Sequence, residues 1–261
     1  ALKTDGTLWS WGNASHGQLG HNNPTTISSP VQIGALTTWA SVSVSGANAG
    51  SVVATQTNGT LWTWGANAQG QLGQGNTTNT SSPVQVGALT TWKDACTGSL
   101  FTIATATDGT LWSWGANNSG QLGQSNTTSY SSPVQVGALT NWVVRDGTAG
   151  KDFCAVVKTD GTLWTWGLNS TGQLGHGNYT TVYNSPKQVG ALTTWSDAVA
   201  RDGFLTGLTT TGQLWSCGYS SYGGLGTGAT KITNSPIQVG ALTSWISVFR
   251  AAQSACFAIQ E

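Results

Sequence analysis

Nine carboxylates, nine Lys or Arg side chains, three histidines and four cysteines carry most of the titratable chemistry of this 261-residue chain. An enzyme needs a few such groups to converge on one place. Asp5, Asp108 and Asp160 each precede a glycine in a recurring Asp-Gly-Thr-Leu-Trp segment, where other copies carry Asn58 and Thr211. A turn accepts that exchange, but a proton donor or nucleophile does not, so these carboxylates read as turn residues. Asp94 and Asp197 share a slot two residues after a tryptophan, yet Ser41, Val144 and Ser247 fill it elsewhere. His21 and His176 follow a Gly-Gln-Leu-Gly loop where other copies have Gln74, Gln124 and Thr227, and His16 lies in the preceding loop. The first two stand in non-consecutive copies, so a shared metal is not expected, nor any other cofactor. The glycine run at 223–228 is a version of the same loop and not a phosphate cradle. Cys96, Cys154, Cys217 and Cys256 show no Cys-x-x-Cys pair and read as small buried thiols, with the redox compartment left open. No catalytic residues are assigned, and the chain is not expected to be an enzyme.

Charge is scarce. Only 7% of residues are Asp, Glu, Lys or Arg, and the formal net charge is zero. A nucleic-acid binder needs cations to neutralise phosphates, so that class is set aside. No run approaches the roughly 18 apolar residues of a membrane helix, so membrane insertion is not expected. Polarity carried by Ser, Thr, Asn, Gln and Gly suits an extracellular or virion surface, which is the expected location.

The missing chemistry directs attention to the scaffold. Asp5 to Gly12 recurs at Asn58 to Gly65, Asp108 to Gly115 and Asp160 to Gly167, with a degraded copy from Thr211 to Gly218. A Gly-Gln-Leu-Gly turn follows each, becoming Gly223-Gly224-Leu225-Gly226 in the fifth. Ser-Pro-x-Gln, Gly-Ala-Leu-Thr and a closing tryptophan (Trp39, Trp92, Trp142, Trp195, Trp245) complete the unit. Successive prolines from Pro30 to Pro236 lie 53, 50, 53 and 50 residues apart. All 14 tryptophans occupy three slots of the repeat, so they read as packing units and not as an exposed ligand cage.

Each repeat holds four short strands. Thr-Leu-Trp-x-Trp-Gly alternates with period two, and the apolar stretch before it joins through an Asp-Gly or Asn-Gly hairpin. Pro-Val-Gln-Val starts with its proline where no ladder donor is lost, and the closing tryptophan opens the fourth strand. The expectation is an all-β fold: one β-propeller domain over residues 1–261, with four-stranded antiparallel blades in five tandem repeats of about 50–53 residues, as part of a longer chain. Ala1 to Thr4 and Ala258 to Glu261 occupy the same repeat slots. Either Phe257 to Ile259 pairs with the Leu8 strand, displacing Ala1 to Thr4 and closing a five-blade ring, or the array continues.

Asp-Gly-x-Leu-Trp-x-Trp-Gly, then x-Asn-x-x-Gly-Gln-Leu-Gly, then proline resembles the repeat of the regulator-of-chromosome-condensation family, and most of all its Ser/Thr/Asn-rich bacterial and bacteriophage variety. The resemblance spans essentially the whole chain. It implies a propeller, usually of seven blades, that binds macromolecules and shares no one reaction. The inserted wedge and charged patches of the family's exchange factor have no counterpart here, so no exchange residues carry over.

Function is sought where the repeats disagree, after each closing tryptophan. Segments 40–48, 93–99, 143–152, 196–203 and 246–254 differ in length and chemistry. They hold Lys93, Arg145, Asp146, Lys151, Asp152, Arg201, Asp202 and Arg250, the candidate binding residues of one rim. These charges form a mixed binding face, or they pair within and between blades. Arg145-Asp146-Gly147 and Arg201-Asp202-Gly203 look like near copies. The expected function is a non-catalytic binding or structural module for protein or surface glycan, able to assemble into a larger particle or fibre. One alternative is a lectin using Tyr130, Tyr179, Tyr183, Tyr219 and Tyr222. The other is a virion-associated polysaccharide-degrading enzyme.

Overall fold

A computed structural model describes every residue except 47–49, 180–181, 220–222, 229, 251–255 and 261. The described secondary structure consists of twenty β-strands. They fall into two compact units, residues 1–116 with 128–138, and residues 117–127 with 139–261.

The first unit opens with β1 (Trp9–Gly12) paired to β2 (Ile27–Gln32). Next comes a sheet of β3 (Trp39–Val44), β4 (Ser51–Gln56), β5 (Leu61–Gly65) and β6 (Thr80–Gln85), in chain order. It is followed by another of β7 (Trp92–Thr97), β8 (Phe101–Ala106), β9 (Leu111–Gly115) and β10 (Tyr130–Gln135). The second unit repeats the pattern with β11 (Trp142–Val143), β12 (Phe153–Lys158), β13 (Leu163–Leu168) and β14 (Val182–Gln188). Then come β15 (Trp195–Ala200), β16 (Phe204–Thr209), β17 (Leu214–Gly218) and β18 (Thr233–Gln238), and finally the pair β19 (Trp245–Arg250) and β20 (Cys256–Gln260). These are the expected four-stranded antiparallel blades. Apart from β1–β2, each sheet begins at the closing tryptophan, because Gly-Ala-Leu-Thr is the link between blades.

Burial follows strand order. The second strand is buried throughout in β4, β8 and β16, while the proline strand is the half-exposed outer edge. The core lies between successive sheets. In the first unit, Val53, Leu61 and Val86 pack on Trp92, Ala104 and Trp114 of the next sheet. In the second, Phe153, Leu163 and Leu174 pack on Trp195, Ala198 and Leu205. The closing tryptophan meets the first ring of Leu-Trp-x-Trp nearly edge-on, with centroids 6.2 Å apart for Trp39–Trp62 and 5.7 Å for Trp142–Trp164. The second ring is fully buried, as in Trp64, Trp114 and Trp166. Its Nε1 donates back to the Gly-Gln-Leu-Gly loop of the preceding repeat: Trp64 to Gln18 O at 3.0 Å, Trp114 to Gln71 O at 2.9 Å, Trp166 to Gln121 O at 2.9 Å. Burying about 200 Å² of ring is worth roughly 5 kcal/mol, against about 1 kcal/mol for the hydrogen bond. Burial therefore holds the blades together, and the bond fixes their register. Cys217 takes this slot in the fifth repeat and reaches Gln173 O through sulfur at 3.6 Å.

The hairpin turn explains its Asp/Asn exchange. Asp160 Oδ1 accepts from Thr162 N at 3.0 Å and Thr162 Oγ1 at 2.6 Å, and Asn58 Oδ1 does the same for Thr60 at 3.1 and 2.7 Å. Both make the bonds with one carbonyl-type oxygen, so charge is not required. Gly59 follows at φ 77°, and a Cβ there would run into Thr90 O.

At the start of the chain, Leu2 bridges Leu8, and Trp9 N donates to Ala1 O at 2.8 Å. Ala1 and Leu2 thus stand beside β1, and β20 pairs with β19.

A candidate binding surface on the loop end of the blades

Antiparallel order puts the loop after each blade's first strand at the same end as the Gly-Gln-Leu-Gly loop. The hairpin turn and the Gly-Ala-Leu-Thr link lie at the other end. Most of the candidate charges therefore belong to loop ends, and they are densest in the second unit.

There, β11 stops after two residues and the chain leaves the sheet over 144–152. The excursion is tied down at almost every step. Arg145 N donates to Thr148 Oγ1 at 2.8 Å, and that hydroxyl donates to Arg145 O at 2.6 Å. Ala200 N of the next blade donates to Gly147 O at 2.7 Å, and Ala155 N to Thr148 O at 2.9 Å. Gly147, at φ 92°, lies against the Val199 side chain, where a Cβ would crowd it. Residues 147–150 are buried, yet Arg145, Asp146 and Lys151 are exposed, as is Asp202 in the loop after β15. Four exposed charges thus stand on fixed backbone.

The remaining candidates divide differently. Arg145 donates to Ser196 O at 3.0 Å and lies 3.8 Å from Asp197 of the next blade. Burial nonetheless raises the Asp197 carboxyl above its ordinary value, with Arg145 opposing the shift. Burial also raises Asp152, helped by the Asp202 charge and opposed by Lys151. Arg201 is only 3% exposed and donates to Phe249 O at 3.2 Å, tying its blade to the next. The two Arg-Asp-Gly runs are therefore not structural copies. Arg145 stands three residues after its tryptophan and half exposed, whereas Arg201 stands six after and inside. Lys93 is exposed but is the second residue of strand β7, at the blade end opposite the loops. Arg250 is the last residue of β19, and its side chain lies outside the described residues.

Tyr130 and Tyr183 are half-buried strand residues, Tyr179 and Tyr219 are exposed, and Tyr222 lies outside the described residues. The Tyr183 hydroxyl accepts from Asn178 Nδ2 at 2.9 Å, while the Lys187 ammonium lies 4.8 Å over its ring. Beside it, His176 sits within 2.9 Å of Thr165 Oγ1, and burial with the Lys187 charge pushes its pKa down to about 4. His21 bonds Ser10 Oγ at 2.9 Å in the same way, so both histidines brace their loops. Among the described residues, no three His, Cys, Asp or Glu side chains group as metal ligands. Cys96, Cys154 and Cys217 are buried thiols, and burial raises Cys217 to about 12.

Four-stranded blades tied ring-to-loop, with exposed charge on fixed loops at one end, define a β-propeller scaffold. The chain belongs to the regulator of chromosome condensation (RCC1) repeat family, whose repeat matches residues 5–53, 58–105, 108–157, 160–200 and 211–258. It is 29% identical over 238 residues to the ultraviolet-B receptor UVR8 of Arabidopsis thaliana, covering 87% of this chain and 52% of the receptor. It is 30% identical over 238 residues to the E3 ubiquitin-protein ligase HERC2 of Homo sapiens, covering 89% of this chain but 5% of the ligase. The chain thus spans about half the length of the receptor and a small part of the ligase. Prp20p of Saccharomyces cerevisiae, described for its binding to Gsp1p and histones, has a similar fold. The TM-score is 0.82 at 20% identity, over 99% of this chain and 65% of that one.

Proposed function

We propose that the chain is a non-catalytic protein-binding module that engages its partner with the loop end of the second unit. The observation that carries this reading is the 144–152 excursion, a loop whose backbone is buried and hydrogen-bonded while Arg145, Asp146 and Lys151 stay exposed. Pre-ordering the loop removes an entropic cost that binding would otherwise bear. Charges of both signs set orientation and exclude wrong partners more than they add affinity. The family's relatives point the same way, since Prp20p binds the proteins Gsp1p and histones.

The test is affinity capture of partners with wild-type protein, a Lys151→Glu/Asp202→Lys variant, and Lys93→Glu at the far end of its blade. The first variant should weaken capture about tenfold or more, equivalent to about 1.4 kcal/mol, and most strongly at low salt. Lys93→Glu should capture as wild type does. Equal capture by all three, or loss only with Lys93→Glu, would remove the loop end from the binding surface.

A further inference from the structure

Between the sheet of β3–β6 and that of β7–β10, both in the first unit, lies a cavity of about 370 Å³. That volume falls in the range of roughly 300–1,000 Å³ typical of small-molecule sites. Leu89 of the inter-blade link, Trp92, Trp112 and Pro133 give it apolar walls, Gln74 and Ser132 supply polar groups, and no charged side chain lines it. Three departures from the repeat make this place different from its counterparts. The Trp92 and Trp112 rings meet edge-on with centroids 5.9 Å apart. In the second unit the matching pair, Trp142 and Trp164, is capped by the Lys158 ammonium, 5.6 Å from the centroid of each ring. Lys158 is the strand partner of Trp142, whereas the partner of Trp92 is Ala106, too short to reach over either ring. The serine before the proline is engaged elsewhere, Ser82 donating to Asn22 Oδ1 at 3.2 Å and Ser185 bonding Ser125 Oγ at 2.9 Å. Opposite Ser132 the slot of Asn22 and Ser125 holds Gly75, which has no side chain to offer. Finally, Gln74 Nε2 donates to Thr63 Oγ1 and Val84 O, both at 3.1 Å, which fixes the amide and leaves Oε1 as an acceptor without a partner among the described residues.

We propose that this cavity binds a neutral saccharide through one pyranose ring. The apolar C–H face of the sugar lies against the Trp92 and Trp112 rings, while its hydroxyls donate to Gln74 Oε1 and share a hydrogen bond with Ser132 Oγ. The chemistry of the walls selects this class. A phosphate, carboxylate or ammonium would give up its hydration and meet no counter-charge. A purely apolar ligand would cover the Gln74 acceptor and leave it unpaired. A hydroxyl-bearing ring with an apolar face meets both demands. Gln74 is already held by its two donor bonds, so binding need not order it. The site shares no residue with the 144–152 loop, so it stands or falls apart from the protein-binding reading.

Saturation-transfer NMR with the methyl glycosides of glucose, galactose, mannose and N-acetylglucosamine reads ring contact directly, with a proline-rich peptide measured alongside. The expected result is transfer to the ring C–H protons of at least one glycoside. Ala106→Lys sets over Trp92 and Trp112 the ammonium that Lys158 sets over their counterparts, and should abolish the transfer. Gln74→Thr installs the residue that the fifth repeat carries in this slot, Thr227, and should weaken binding about fivefold or more by removing the amide acceptor. Circular dichroism confirms the fold of both variants. The Lys151→Glu/Asp202→Lys variant should bind the sugar as wild type does. Silence with all four glycosides overturns the proposal, as does transfer unchanged in Ala106→Lys and Gln74→Thr, or transfer to the peptide alone.

Discussion

At the scale of single residues, the second tryptophan of each repeat has two separable roles. Trp166→Phe keeps most of the ring but loses the bond to Gln121 O, so we expect a loss of about 1–2 kcal/mol in urea unfolding. Trp166→Ala also opens a cavity and should cost about 3–5 kcal/mol. If the two variants were equally unstable, the bond and not the burial would be holding the blade. His176 gives a pH signature. Its folded pKa of about 4 lies below the ordinary 6.5, so between those values the unfolded chain holds more protons. Stability is therefore full above about 6.5 and falls as the pH drops toward 4. Gln, which occupies this slot as Gln74 and Gln124, should remove that slope in a His176→Gln variant, read by urea midpoints across the window. The structural role of the tryptophans and turn aspartates was legible in the sequence because recurrence filters out chance. The fates of Arg145 and Arg201 were not. Neither recurs in register, and each fate depends on how far its first strand runs before leaving the sheet.

At the scale of elements, the hairpin turn is specified twice, by an oxygen that caps Thr and by a glycine with positive φ. Asp160→Asn should change thermal stability by less than about 0.5 kcal/mol, since Asn58 makes the same bonds in its own repeat. Gly59→Ala should cost more than about 1 kcal/mol, because it adds strain at φ 77° to a collision with Thr90 O. Melting temperatures of the two variants check both statements. The strands themselves were readable from period-two alternation and turn signals. Which strand opens a sheet was not, since a sequence repeat can be cut at any phase and only hydrogen bonding selects the closing tryptophan. Nor was the shortness of β11. Its segment has two more residues between tryptophan and second strand than the β7 segment, and composition does not say whether extra residues lengthen a strand or leave it.

At the scale of the whole molecule, sequence recurrence specifies the blade and leaves function to the places where recurrence fails. The 144–152 loop is such a place. The ring-to-loop bond has a further consequence for how the chain comes apart. Each blade gives its tryptophan to the repeat before it, so within a unit the blades form a row of nearest-neighbour couplings and unzip in order. Where Cys217 replaces the ring, the link to the preceding repeat is a sulfur contact at 3.6 Å with far less buried surface. Amide hydrogen exchange should therefore be fastest in β16 and β17 among the equivalent interior strands, making the fifth repeat the first stretch of the sheet to open and the first exposed to proteolysis.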